Sequence, residues 1–147
     1  MARPEPTLRS AYPQAVTITS RWADNDIYGH INNAAYYNLI DTAVNRFMIA
    51  NAGIDIHNGA FICLVVETSC RYHAALAFPE EIEVALKVAR LGTTSVTWAA
   101  GLFPAPAAPN LASSADAHFV HVLVDRHTRR PQPWPDTMRD ALTSALG

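Results

Sequence analysis

Between residues 33 and 50, apolar side chains recur at three- and four-residue steps: Tyr36, Ile40, Ala43, Phe47 and Ala50, with Tyr37, Val44 and Met48 widening the stripe. That period describes a helix of about five turns whose broad apolar face has to be buried. Around it the chain carries strand patterns instead. "AVTITSRW" (15–22) alternates with Val16, Ile18, Ser20 and Trp22 on one face. "FICLVVETSCRY" (61–72) is apolar on both faces at first and mixed later, as for a central strand covered on two sides. "EEIEVALKVAR" sets Ile82, Val84, Leu86 and Val88 against Glu81, Glu83, Ala85 and Lys87, and Leu91-Gly92-Thr93 turns it into "TSVTWAAGLF" as a hairpin. The prolines of "PAPAAPN" lack ladder donors and form a loop, after which "SADAHFVHVLVDR" is again a strand. "PQPWP" then leads into a short terminal helix at about 136–146, capped by Asp136 or Thr137.

Strands joined by short links are largely antiparallel, and a single long helix covers one face of such a sheet. The expected architecture is therefore α+β, a five-stranded antiparallel sheet wrapped around one helix. The 147 residues suffice for one domain with a core that needs neither disulfide nor metal. Charged residues make up only 16%, against roughly 25% in ordinary soluble proteins, so part of the surface is expected to be hidden in an oligomer. A net charge of −2 and no dense Lys/Arg run beyond the small group Arg126, Arg129 and Arg130 give no footing for nucleic acid or an anionic membrane. No apolar run approaches the roughly 18 residues that span a bilayer. The start, "MARPEPTLRSAYPQ", is polar and proline-broken, unlike a secretory signal, and is expected to be loosely held. Cys63 and Cys70 share one strand at an odd spacing, which points them to opposite faces and argues against a bridge. A reducing, cytoplasmic setting fits this usage.

The densest chemistry lies in "RWADNDIYGHINNAAYYNLI" (21–40), where Asp24, Asp26, Gly29, His30, Asn32 and Asn33 gather ahead of the helix. A helix N-terminus offers unpaired N–H groups and the positive end of the helix dipole, so it stabilises a developing oxyanion. A carboxylate nearby attacks an electrophile or activates a water beside those donors. Asp24 and Asp26 are the candidates, with His30 as hydrogen-bond donor or proton-transfer partner. The same residues also suit a plainly structural role: Asp and Asn as Asx-turns and caps, Gly29 for a positive φ, Asn32 or Asn33 as N-cap and Gly53 just past the helix end.

Taken whole, "WADNDIYGHINNAAY" (22–36) resembles the signature of hotdog-fold acyl-CoA thioesterases of the 4-hydroxybenzoyl-CoA thioesterase-like family, and the family's element order matches over roughly residues 14–128. The resemblance implies a single hotdog domain that hydrolyses an acyl-CoA to the free acid and coenzyme A, without metal or organic cofactor. It places the catalytic carboxylate, nucleophile or general base, on Asp26 and a second catalytic side chain on His30. Asn32, Asn33 and the helix start would supply caps and the donors that polarise the thioester carbonyl, with Asp24, Tyr28, Gly29 and Tyr36 around the substrate. In the acyl-carrier-protein branch an asparagine acts where this chain has Tyr28, so that branch's Asn/His/Asp arrangement is not reproduced. Pairing of sheets into a homodimer or homotetramer, also implied, would bring Glu67 and Ser69 of the 61–72 strand toward a shared pocket. A carrier-protein thioesterase and a non-catalytic acyl-CoA-binding module stand as alternatives.

Other residues carry less. His118 and His121 lie three apart on a strand, on opposite faces, a poor pair of metal ligands. Arginines suit phosphate, but nothing in the pattern selects among Arg71, Arg90, Arg126, Arg129 and Arg130. Phe47 is expected in the core.

Overall fold

The computed structural model describes residues 2–147. The apolar stripe becomes helix α1, Ala35–Asn51, which buries Tyr36, Leu39, Ile40, Ala43, Val44, Phe47 and Met48. Ala50, expected on that face, is exposed; it stands in the last turn of the helix, beyond Phe47 and Met48. Gly53 follows the helix with φ +71°, the left-handed conformation that ends helices.

The strands are β1 (Gln14–Thr19), β2 (Phe61–Tyr72), β3 (Glu81–Leu91), β4 (Ser95–Pro104) and β5 (Ala115–Asp125), and the terminal helix is α2 (Asp136–Ser144). They form one sheet in the order β1-β3-β4-β5-β2, with every pairing antiparallel. Val84, Leu86 and Val88 of β3, Trp98 and Leu102 of β4 and Phe119 and Leu123 of β5 close over α1. Phe47 meets Trp98 edge to face at 5.3 Å, and Tyr37 lies over Phe119 at 5.6 Å. This is the α+β hotdog arrangement, a sheet wrapped around one helix. No helix among the described residues is long and apolar enough to cross a membrane.

Five expectations are corrected. β1 stops at Thr19, and Trp22 instead opens a 3-10 turn, Trp22–Asp24, with its ring 83% exposed; Asp24 closes that turn on Arg21 and draws the backbone away from the ladder. β2 is an edge strand rather than a central one, leaving Val65 and Val66 exposed. Its register shifts between Val65 and Glu67, and the extra residue of a bulge reverses the side-chain alternation beyond it. Cys63 and Cys70 therefore both pack toward the core instead of facing opposite ways, and both are free thiols. The N-terminal segment is firmly seated: Arg9 and Ser10 N–H groups donate to the carbonyls of Leu111 and Pro109 at 2.9 Å, Arg9 pairs with Glu83, and Tyr12 is buried against Ala85, Ala99 and Phe103 on the sheet's outer face. Asp136 starts α2 without capping it; Pro135 holds the flanking position and neither Asp136 nor Thr137 makes a side-chain cap bond.

Candidate active site

The loop between β1 and α1 begins with a local clamp. Arg21 donates its backbone N–H to Asp24 Oδ2 at 2.7 Å, and its guanidinium reaches Asp24 Oδ1 through Nη2 at 2.8 Å and Nε at 3.1 Å. Burial pushes the Asp24 carboxyl up, but the Arg21 hydrogen bonds and charge outweigh it and leave the group below its usual range. The Asp24 carbonyl in turn accepts the Asn32 N–H at 2.8 Å, so the two ends of the loop are tied together. Asp24 lines a hollow of about 330 Å³ with Ile18, Asn38, Leu39 and Thr42.

Two residues on, Asp26 sits differently. One carboxylate oxygen accepts the Tyr28 N–H at 2.9 Å as an Asx-turn, and no side-chain cation is paired with it. Its N–H donates to the His30 carbonyl at 2.9 Å and its own carbonyl accepts from Gly29 at 3.1 Å. Gly29 has φ +82°, which lets this four-residue turn close without a Cβ in the left-handed region. Asp26 stands between two clefts. One, of about 450 Å³, is lined by Asp26, Tyr28, His30, Asn33, Tyr36 and Tyr72; the other, of about 400 Å³, by Asp26 with Trp22, Asn25, Ile27 and Gly29.

The start of α1 opens onto the first cleft. Asn32 Oδ1 accepts the Ala34 N–H at 2.9 Å and the Asn32 carbonyl accepts that of Ala35 at 2.8 Å, so Asn32 closes the turn that leads into the helix; the flanking position itself is Ala34, not Asn32 or Asn33 as expected, and it makes no side-chain cap bond. The N–H groups of Asn33 and Tyr36 find no such partner among the described residues, and both residues line the cleft that holds Asp26. A carboxylate and a helix N-terminus thus border one cleft, the pairing that acyl transfer through an oxyanion can use. Burial pushes the Tyr36 hydroxyl up, so it stays protonated at neutral pH.

One chain thus gathers Asp26, Tyr28, His30, Asn33 and Tyr36, with Gly29 at the first turn and Asn32 in the turn ahead of the helix. Asp24 serves the neighbouring hollow. Glu67 and Ser69 lie away from the cleft, on the outer side of β2 opposite Val120 and His118. The far wall of the cleft is Tyr72, His73, Ala74 and Ala75, none of which the sequence pattern singled out. Tyr72 is the last residue of β2, and its nearness to the helix start depends on a contact spanning 39 residues. Arg126 is structural, donating to the carbonyls of Gly59 at 2.6 Å and Ile56 at 2.9 Å. His121 is buried against the core and His118 exposed. Among the described residues no group of three or more His, Cys, Asp or Glu side chains is arranged to hold a metal ion.

Comparison with known proteins bears on the family and the fold. The model of the thioesterase-like superfamily matches residues 20–142, from the loop into α2. The PA5185 protein of Pseudomonas aeruginosa is 46% identical over 98% of both chains, with a TM-score of 0.92. A 1,4-dihydroxy-2-naphthoyl-CoA thioesterase from Synechocystis shares the fold at 17% identity and a TM-score of 0.75, over 88% of this chain and 94% of that one. So does the SAV2348 protein of Staphylococcus aureus, solved in complex with CoA, at 16% identity and a TM-score of 0.78, over 100% of this chain and 90% of that one. No protein of curated function matches. With its wrapped helix, its carboxylate loop and a family match over most of its length, the chain belongs to the thioesterase-like superfamily of the hotdog fold, and is a hydrolase acting on thioesters.

Proposed function

We propose that the protein hydrolyses an acyl-CoA to the free acid and coenzyme A, with Asp26 as the catalytic carboxylate. The observation that carries this is the shared cleft: Asp26, His30, Asn33 and Tyr36 line one space at the start of a buried helix. As general base, Asp26 takes a proton from water, whose oxygen attacks the thioester carbonyl carbon; the oxyanion forms against the helix amides, the C–S bond breaks, and the departing thiolate receives that proton from Asp26, directly or relayed through His30. As nucleophile, Asp26 forms a mixed anhydride, expels the same thiolate and is released by water. The solved CoA complex of a fold relative and the CoA thioester named for another support coenzyme A as the carrier. Tyr28 in place of an asparagine argues against an acyl carrier protein.

The working unit is a homodimer or homotetramer. Support comes from the exposed apolar Val65 and Val66 on the unpaired edge of β2, and from Trp22, Ile27 and Tyr28, which are 79–93% exposed beside Asp26. A second subunit covering them would bring Glu67 and Ser69 toward a pocket shared between chains. Neither nucleic acid nor a membrane enters this scheme, and a cytoplasmic location suits it.

The test is thiol release from short, long and aromatic acyl-CoAs by the parent and by Asp26→Asn. Turnover by the parent alone supports the assignment and reads out the chain preference. Equal acyl-CoA binding by both without release would point instead to a binding module.

A further inference from the structure

Tyr72 ends β2 on the wall of the cleft opposite Asp26. Its hydroxyl donates to the Asn33 carbonyl at 2.9 Å, and its ring meets Tyr36 edge to face at 5.0 Å. The peptide that carries the Asn33 carbonyl also carries the Ala34 N–H, which Asn32 Oδ1 holds at 2.9 Å. That peptide plane is therefore gripped at both ends, by one side chain from the loop and one from a distant strand. The Asn33 N–H lies on the peptide just before it and the Tyr36 N–H on the second peptide after it, at the same helix start. Burial, with Cys70 and the neighbouring tyrosines adding to it, pushes the Tyr72 hydroxyl up, so it remains a donor across the neutral range.

We infer that Tyr72 is a positioning residue for the oxyanion donors: by holding the Asn33–Ala34 peptide it fixes where the free amides at the start of α1 point, without touching the substrate's reacting atoms. The inference rests on the acyl-CoA hydrolysis proposed above. It explains why the end of an edge strand is tied across the mouth of the cleft when the ring packing alone would close the wall. Donors aimed at a developing charge are effective only when their geometry is fixed before the reaction, and small misplacements are costly.

The test uses Tyr72→Phe, which keeps the ring and removes only the donor, and Asn32→Ala, which frees the other end of the same peptide. Steady-state kinetics on the acyl-CoA that the parent turns over best are read beside amide hydrogen exchange at Asn33–Tyr36. The expected result for Tyr72→Phe is a fall in kcat of about tenfold with KM within about twofold, faster exchange at those amides, and an unchanged oligomeric state. Because both side chains grip one peptide, the double variant should lose less than the product of the single losses. Unchanged kcat and exchange in Tyr72→Phe, with the parent active, would overturn the inference, as would a rise in KM at constant kcat. A parent that releases no thiol from any acyl-CoA would instead count against the proposed function, and the exchange measurement would still decide whether Tyr72 holds the peptide.

Discussion

Asp24 and Asp26 are two residues apart, of one type and in one loop, yet the fold gives them opposite work. Asp24 is 5% exposed and its two oxygens accept three bonds from Arg21. Asp26 is half-buried, accepts one bond from the Tyr28 backbone, and opens onto two clefts. A carboxylate that already accepts three bonds from a neighbouring arginine, two of them from its guanidinium, is held in place and has little capacity left for a water or a carbonyl carbon. One held at a single oxygen by a backbone N–H is oriented and still free to react. The partners each carboxylate has, more than spacing or residue type, separate the acid that closes the loop from the one proposed to react.

The largest effect is expected at Asp26. Asp26→Asn should lower kcat/KM at least about 100-fold while thermal denaturation and oligomeric state stay as in the parent; loss of folding would reverse the assignment of the pair. Second in size is the acid response of a group outside the loop. Burial pushes the His121 imidazole down to about 4 from its ordinary value of 6.5, so the folded state favours the neutral ring. Its contribution is complete above pH 6.5 and is lost as pH falls from there toward 4, on the order of 3 kcal/mol at the lower end. A His121→Val variant should flatten the slope of Tm between those pH values. If the slope persists, the acid response has another source, and the loop becomes the place to look.

Asp24→Asn should cost about 1 kcal/mol of stability, through the weakened clamp on Arg21, and reduce kcat/KM less than Asp26→Asn does. The Asp24 pKa is lowered in the fold, so the stability it contributes is present above the ordinary carboxylate value of 3.8 and disappears as pH falls through its folded value. That window lies below the His121 window, and Tm against pH in both variants separates the two groups. The smallest effect belongs to the turn. Gly29 has φ +82°, and open space surrounds the position a Cβ would take, with nothing within 4 Å. Gly29→Ala therefore meets backbone strain alone, about 1 kcal/mol. Urea denaturation measures that cost, and a drop in kcat much beyond it would mean that the turn also aims Asp26.

Much of the fold was legible because it is written in local periods. The helix stripe from Tyr36 to Met48, though not its expected last member Ala50, the alternation of Ile82, Val84, Leu86 and Val88, and the hairpin at Gly92 each follow from side-chain spacing between near neighbours. The loop was legible as a cluster of small polar residues ahead of a helix, although the division of labour between Asp24 and Asp26 was not. That division depends on where the Arg21 side chain lies, which spacing does not encode.

The sequence by itself determined which segments are strands, which is the long helix, and that a carboxylate stands at that helix's start, since each is a property of neighbours along the chain. Only the tertiary structure decided that β2 lies at the sheet edge, that a single bulged residue turns Cys63 and Cys70 to the same side, that the N-terminal segment covers the outer face, and that Tyr72 reaches Asn33. Those outcomes belong to residues far apart in sequence. They are fixed by which surfaces remain to be buried and which backbone groups remain to be paired once the local elements have met.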